Sequence, residues 1–206
     1  MQTLITQSLL SAWMFCYICA EGCEEDAYND FLRTLRREPT EQTDAMKDGI
    51  QFENGVYALM RDPQDLTVYP QWRAVSMRMA DFLRGGQVQV RVQRELRVNE
   101  DEYLVYGICD VVKAGHIYDI KFTSSKSMNE KDLYGKYLGS PQHPAYLYCI
   151  PDALDFTYLV SDGTELYTEV YERKHTASIA EIIDGFRTDL RYRGLDELYK
   201  ELWQSK

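Results

Sequence analysis

Two aspartates and a lysine in the middle of the chain have the types and spacing needed for phosphodiester chemistry. Asp110 lies near the end of one predicted strand, and Asp119 and Lys121 lie on the strand after a short turn. Such a hairpin can bring both carboxylates to one end of a sheet. Two hard oxygen donors and the exposed carbonyl of Ile120 suit Mg²⁺ or Mn²⁺. Since Asp119 and Lys121 are two residues apart, an extended strand points both side chains to one face.

The chemistry that this group could perform is metal-assisted hydrolysis. A bound divalent ion acts as a Lewis acid and makes its bound water more acidic, and the Lys121 ammonium could orient or help deprotonate that water and offset phosphate charge. The Asp-x-Lys triplet alone carries little weight, because strand Asp and Lys side chains usually face solvent and such triplets occur by chance. Its context gives it weight, since Gly107 and Asp110 come one hairpin earlier and a helix follows.

Alternation of apolar and polar residues predicts the strands that position these groups. Gln87 to Val98, Tyr103 to Val112 and Ile117 to Thr123 are separated by short turns, which is typical of an antiparallel meander. Two further strands are predicted at Phe156 to Val160 and at Glu165 to Glu172, around a Ser161-Asp162-Gly163 turn.

Helical spacing of apolar residues predicts the elements around the sheet. The predicted helical stretches are residues 6–36, 44–59, 70–84 and 128–149, with an interruption near Gly139 to Pro141, and the end of the chain. We therefore predict an α/β fold with a restriction-endonuclease-like core, a mixed sheet that includes the antiparallel meander and is flanked by helices. The prediction is one domain over residues 1–206, with a helical part at 1–86 and the catalytic sheet and helices at 87–206.

Three paired motifs carry a family resemblance. The order Gly-x-x-Asp, Asp-x-Lys and Gln-x-x-x-Tyr, here Gly107 with Asp110, Asp119 with Lys121 and Gln142 with Tyr146, resembles the RecB-like branch of the PD-(D/E)XK nucleases. That branch includes the exonucleases of CRISPR spacer acquisition and many phage recombination exonucleases. The resemblance extends loosely over residues 7–149, and its specific part is residues 95–146.

The resemblance implies roles for individual residues. Asp110, Asp119 and the Ile120 carbonyl would hold the metal, and Asp110, Asp119 and Lys121 would be catalytic. Gln142 and Tyr146, four residues apart on one helical face, would position the DNA strand or the scissile phosphate. Glu95 would be an auxiliary acidic residue on the first strand of the meander. Without the resemblance, Tyr146 is a core aromatic residue and Gln142 a polar residue at a helix start.

Glu53 is the main departure from the family pattern. Gly49-Ile-Gln-Phe52-Glu53 lies where the family commonly has Gly-x-x-Phe/Leu-His, with the histidine as a metal ligand. A glutamate oxygen can bind Mg²⁺ or Mn²⁺, so Glu53 could be the third protein ligand with a preference for harder ions. Glu53 could instead be a polar residue at a helix edge beside a weakened or inactive site.

Three cysteines near the N-terminus raise the question of an iron–sulfur cluster, which some RecB-like relatives hold. Cys16, Cys19 and Cys23 are close in sequence, but no cysteine follows Cys149, whereas those relatives have three near the C-terminus. We therefore expect no cluster, and expect Cys16 and Cys19 to be small buried apolar residues of the first helix.

The overall charge bears on the partners. A net charge of −10 argues against strong non-specific DNA binding, but a nuclease remains open because bound divalent ions reverse the local sign for a phosphate. The longest apolar run, residues 9–20, is too short for a membrane span and lacks a basic leader, so we expect a cytoplasmic protein of a bacterium or a phage-infected cell, with no membrane partner.

The sequence thus predicts a metal-dependent DNA nuclease. By resemblance it would be an exonuclease of recombination, repair or phage DNA processing. The chain has no G-x-x-x-x-G-K-[ST] loop, so it would act alone or with a recombinase, single-strand-annealing or helicase partner. The alternative is a catalytically inactive nuclease-fold protein that binds DNA or protein.

Overall fold

Six strands in one mixed sheet organise the chain, and helices cover both faces of the sheet. The computed structural model describes residues 2–123 and 133–205. The strands are β1 Thr3–Thr6, β2 Gln87–Val98, β3 Asp101–Lys113, β4 His116–Phe122, β5 Asp155–Ser161 and β6 Leu166–Glu172. The helices are α1 Gln7–Ile18, α2 Glu24–Leu35, α3 Asp44–Arg61, α4 Arg73–Leu83, α5 Gln142–Cys149, α6 Ile179–Tyr192 and α7 Asp196–Leu202, with a 3₁₀ turn at Arg173–His175.

The meander predicted from sequence is confirmed. β2 pairs antiparallel with β3 from Val98↔Asp101 to Gln87↔Val112, and β3 pairs antiparallel with β4 from Lys113↔His116 to Val111↔Tyr118. β5 then lies parallel to β4, and β6 antiparallel to β5. This mixed sheet, flanked by helices, confirms the predicted α/β fold with a mixed sheet that includes the antiparallel meander.

One edge of β3 is shared by two strands. β1 pairs parallel with the first half of β3, from Thr3↔Tyr103 to Thr6↔Tyr106, while β4 pairs with the end of β3 from Val111 onward. Because β2 occupies the other edge throughout, residues 107–110 of β3 lie in the gap between β1 and β4. The gap frees backbone and side-chain groups of this segment for other contacts.

The N-terminal segment differs from the prediction of continuous helical spacing over residues 6–36. Residues 3–6 form β1, and Thr6 ends that strand and caps α1, its side chain accepting a hydrogen bond from Leu9 N at 3.3 Å. A turn at residues 19–23, with Gly22 at φ 86°, separates α1 from α2. A strand of four residues is too short to show a period, which is why spacing alone missed it.

The segment before α5 also differs from the prediction. Of the helical stretch predicted at residues 128–149, residues 128–132 lie outside the described part of the chain, and residues 134–139 form turns rather than a helix. The helix begins at Gln142, after Pro141. The predicted helices at 44–59 and 70–84 and the two later strands are confirmed within about three residues.

Two apolar clusters pack the sheet, one on each face. The first core contains residues of β1, β3, β5 and α5 to α7 together with α1 and α2, among them Ile5, Leu10, Phe31, Val105, Cys109, Tyr146, Phe156 and Phe186. The second core lies under α3 and α4, and includes Phe52, Val56, Leu59, Met79, Leu83, Val111, Tyr118, Ile120 and Leu159. Over the described residues, no helix is both long and apolar enough to cross a membrane.

Candidate active site

Strand β3 changes face at Asp110. Cys109 belongs to the first core, whereas Val111, two residues later, belongs to the second. A regular strand would point both side chains to the same face, so β3 turns about its axis between them. This rotation of the strand occurs at Asp110, which is also the last residue of the gap between β1 and β4.

Gln89 lies opposite Asp110 and has an unusual backbone conformation. The β2–β3 register runs from Val88↔Val111 to Val90↔Cys109, which places Gln89 across from Asp110. Its φ is 53°, although it is neither a glycine nor in a turn. Residues held in this region cost on the order of 1–3 kcal/mol and cluster at functional sites.

Asp119 is buried and has partners on both oxygens. Its side chain lies on β4 and the residue is 2 % exposed. Gln142, the first residue of α5, donates from its amide to Oδ1, and Lys121 Nζ lies 2.7 Å from Oδ2. The predicted placement of Asp119 and Lys121 on one face of a strand is therefore observed, and the Gln142 amide contacts the aspartate.

The charge of Lys121 is set by this pairing. Burial alone would lower the pKa of the Lys121 ammonium, but the charge and hydrogen bond of Asp119 and the charge of Asp110 together raise its pKa above the usual range. Lys121 is therefore a cation at neutral pH in this arrangement. A cation here can stabilise negative charge on a phosphate oxygen more readily than it can accept a proton from water.

Asp110 occupies a position that disfavours its charge. Its Oδ2 accepts a hydrogen bond from Ile120 N at 2.8 Å, across the hairpin just beyond the last β3–β4 pair. Burial, followed by the charges of Asp119 and Glu53, raises the pKa of Asp110 well above its ordinary value, and the Ile120 N–H and Lys121 only partly oppose this. Such a carboxylate is stabilised by a cation that neutralises it.

Glu53 comes to the same site from helix α3. Its pKa is raised, first by burial and also by the charge of Asp119, while hydrogen bonds from Tyr57 and Gln89 oppose the shift. Tyr57 OH lies 2.6 Å from Glu53 Oε1, and Gln89 Nε2 lies 2.9 Å from the same oxygen. The fold thus brings Glu53 into electrostatic contact with the two aspartates.

Gly107 is required by the close approach of Tyr146. A Cβ atom at residue 107 would lie 2.1 Å from Tyr146 Cε1, and the Tyr146 hydroxyl donates to Ile108 O at 3.0 Å. Tyr146 is 4 % exposed. The Gly-x-x-Asp and Gln-x-x-x-Tyr motifs are therefore parts of one contact, in which α5 packs onto the gap in β3.

Glu95 lies apart from this group. It is six residues along β2 from Gln89, a separation of roughly 20 Å at the usual rise of a strand, and its side chain is exposed. Its backbone carbonyl accepts a hydrogen bond from Tyr148 OH. The structure brings Glu53, Asp110, Asp119, Lys121 and Gln142 together but does not bring Glu95 to them.

A cavity of about 340 Å³ opens beside the carboxylates. It reaches Glu53 and Asp110 and extends to the start of α1, whose first turn has backbone N–H groups without partners in the helix. Its lining consists of Thr6, Gln7, Ser8, Glu53, Gln89, Tyr106, Gly107, Ile108, Asp110 and Tyr146. A ligand in this space would meet both acidic groups and the helix terminus.

The donor set fits a hard divalent cation by its chemistry. Glu53, Asp110 and Asp119 supply carboxylate oxygens, and burial, followed by the like charges of this group, raises the pKa values of Asp110 and Glu53. Within residues 2–123 and 133–205, however, no group of three or more His, Cys, Asp or Glu side chains is arranged so that it could hold a metal ion. Lys121 and Gln142 already engage the Asp119 oxygens, so a cation would have to replace Lys121 there.

The N-terminal cysteines lie away from this site. Cys16 is half-buried against the first core, and its thiol approaches the carbonyls of Ala12 and Ala27 at 3.5 Å each. Cys19 is also half-buried and Cys23 is exposed. The expectation that Cys16 and Cys19 are buried residues of the first helix was wrong, because both are half-buried and Cys19 follows the end of α1 at Ile18. Both lie where α1 leaves the first core, which leaves part of each side chain in solvent.

Sequence reasoning missed Gln89 and Tyr57. Tyr57 follows Glu53 by four residues on α3, so helical spacing alone could have paired them. Gln89 gave no such signal, because a polar residue in an alternating strand is typical of a solvated face. Its role becomes visible only in its φ and its contacts.

The fold of this chain is of the α/β class, with a mixed sheet and helices on both faces. No protein-family model matches the chain, and no curated protein matches it in sequence. Among solved structures, the archaeal protein SSO0001 is similar at 12% identity over 93% of this chain and 77% of that chain, with a TM-score of 0.53. At this identity the similarity is one of fold.

An exonuclease, LHK-Exo, whose crystal structure contains dAMP, is a more distant structural match. It is 11% identical over 94% of each chain, with a TM-score of 0.43. A similarity at this level does not define the activity of the present chain.

Proposed function

We propose that this protein is a metal-dependent DNA nuclease that hydrolyses phosphodiester bonds. The observation that carries the proposal is the placement of Asp119 and Lys121, 2.7 Å apart, beside Asp110 and Glu53 at the gap in β3. Carboxylates that repel one another beside a lysine cation would attract a divalent ion and a phosphate. The sequence motifs that resemble PD-(D/E)XK nucleases supply the same four side chains, with glutamate in place of histidine.

Each residue of the site would have a distinct role. Asp110, Asp119 and the Ile120 carbonyl would hold Mg²⁺ or Mn²⁺, with Glu53 as the third side-chain ligand. When bound, the ion supplies Lewis acidity and a more acidic water. Lys121 would stabilise negative charge on the phosphate, and Gln142 would keep the Asp119 carboxylate in place. Tyr146 would hold α5 against the gap in β3.

The substrate and the biological role follow from the family resemblance. We propose DNA as the substrate and exonucleolytic attack as the mode, in recombination, repair or phage DNA processing. The cavity beside Asp110 and Glu53 offers space for part of a nucleotide, and the N-terminal end of α1 at its lining favours a phosphate there.

End-labelled DNA cleavage tests this proposal. Wild-type protein should degrade single- or double-stranded DNA with Mn²⁺ or Mg²⁺ and not with EDTA. Asp119→Asn and Lys121→Ala should each lower the rate by about 100-fold or more, and Glu95→Ala should leave it unchanged because Glu95 lies outside the site. Circular dichroism melts would verify that each variant is folded.

A second candidate function is a nuclease-fold protein that binds DNA or protein without cleaving it. The observation that favours it is that Lys121 and Gln142 occupy both oxygens of Asp119, together with the glutamate at position 53. Absence of cleavage with either metal on every DNA form, by a folded wild-type protein, would establish this alternative over the nuclease.

A further inference from the structure

The Glu53 carboxylate is held by only one of its oxygens. Tyr57 OH donates to Oε1 at 2.6 Å, and Gln89 Nε2 donates to the same oxygen at 2.9 Å. Gln89 Nε2 also lies 2.9 Å from the Tyr57 hydroxyl oxygen, so the three side chains form a closed triangle. Among the described residues none donates to Glu53 Oε2, which therefore keeps its full capacity to accept a cation.

The backbone of Gln89 is unusual for a strand residue. The described part of the chain has four non-glycine residues with positive φ, and three of them, Arg37, Asn99 and Ala114, lie in turns. Gln89 alone lies within a strand. Glycine and asparagine adopt this conformation most readily, but glycine has no side chain and that of asparagine is one methylene shorter. Glutamine at this position is therefore explained by its amide rather than by its backbone.

The location of the triangle connects it to the site. Gln89 and Asp110 lie opposite each other between the pairs Val88↔Val111 and Val90↔Cys109, and Gln89, Glu53 and Asp110 line the same cavity. Strand β2 therefore has its positive φ at Gln89, the residue whose side chain reaches Glu53 of α3. On either side of Gln89, β2 pairs with β3, the strand that carries Asp110. One residue links the helix that supplies one acidic group to the strand that supplies the other.

We propose that Gln89 is a positioning residue which, with Tyr57, fixes Glu53 by Oε1 and presents Oε2 to the divalent-cation site beside Asp110. This inference rests on the proposed function, because it requires Glu53 to be a ligand. Partners that orient a metal-binding side chain typically contribute 10- to 100-fold to metal affinity. Gln89 and Tyr57 together would give the glutamate the fixed orientation that a ligand needs.

Calorimetric titration of the full chain with Mn²⁺ tests the role without relying on activity. The variants are Gln89→Met, which keeps the length but removes the amide, Gln89→Gly, which suits a φ of 53° but has no side chain, and Tyr57→Phe. Each should weaken Mn²⁺ binding by about 10-fold or more. Gln93→Met, on an exposed residue of the same strand, should bind as the wild type does. Gln89→Gly should melt at the same temperature as the wild type or higher, because glycine relieves the backbone.

The outcomes separate this role from the metal site itself. If Gln89→Gly and Tyr57→Phe bind Mn²⁺ as tightly as the wild type, the positioning role is wrong while the proposed metal site stands. If the wild type binds no Mn²⁺, the metal site of the proposed function is refuted, and the role of Gln89 with it. Should Gln89→Gly fail to fold, Tyr57→Phe decides, since it removes only a hydroxyl group.

Discussion

Several side chains of the candidate site both pack the fold and contact the residues proposed to do the chemistry. Gln142 begins α5 and also donates to Asp119, and Tyr146 fills the space above Gly107 while its hydroxyl bonds to the β3 backbone at Ile108. Since these contacts are buried, a change of one atom is felt by both the fold and the site. The Gly107–Tyr146 contact shows this most directly.

Replacement of Gly107 by alanine should destabilise the protein by about 1–3 kcal/mol, because the new methyl group would overlap the Tyr146 ring. Gly49→Ala is the matched control. Residue 49 is a helical glycine with no atom within 4 Å of a built Cβ, so alanine there should stabilise α3 by up to about 1 kcal/mol. Urea unfolding of the two variants measures both effects. Equal stability of Gly107→Ala and the wild type would show that the contact is loose.

Helix α5 is held in place from both ends, and its position determines where Gln142 and Tyr146 lie. At its C-terminal end the Arg173 guanidinium donates to the carbonyl of Leu147 in the last turn at 2.7 Å, and to the carbonyls of Ile150 and Ala153 just after the helix at 2.7 Å and 3.0 Å. A planar group with several donors suits three diverging carbonyls, whereas a single ammonium does not.

Arg173→Lys should therefore lower the free energy of unfolding by about 1–2 kcal/mol despite keeping the charge. Lys174→Ala is the control, since its ion pair with Glu172 is exposed and such pairs contribute little. Chemical denaturation measures the free energy of unfolding of both variants. The capping role of Arg173 would be contradicted by a lysine variant as stable as the wild type.

The elements differ in how far the sequence predicts them. The meander was predictable because β2 to β4 alternate in hydrophobicity and are joined by short turns, and α3 because Phe52, Val56 and Leu59 recur at helical spacing. Strand β1 was not predictable, because a strand of four residues is too short to show a hydrophobic period. The rotation of β3 about its axis at Asp110 was also not predictable from the sequence, because it depends on contacts with two different cores. The residue types of the candidate site were predictable from the sequence. The hydrogen-bonded triangle of Glu53, Tyr57 and Gln89 was not, because it depends on the positive φ of Gln89.

The molecule as a whole carries a net charge of −10, and part of that charge is concentrated in a buried site. Burial and mutual repulsion raise the pKa values of Asp110 and Glu53. A carboxyl group whose folded pKa is raised holds its proton to a higher pH than in the unfolded chain. Its ionisation therefore costs stability as the pH rises from about 4 through the folded pKa. A divalent ion would remove this cost.

The proposed divalent-cation site is tested by thermal unfolding of the wild type and Asp110→Asn at pH 5.5 and pH 7.5, with and without Mn²⁺. Without metal, the wild type should be more stable at pH 5.5, and Asp110→Asn should raise the melting temperature at pH 7.5. Mn²⁺ should stabilise the wild type, more at pH 7.5 than at pH 5.5 because its ligands must be ionised, and should have little effect on Asp110→Asn. An equal Mn²⁺ shift in both proteins, or none in the wild type, would contradict a divalent-cation site at these carboxylates.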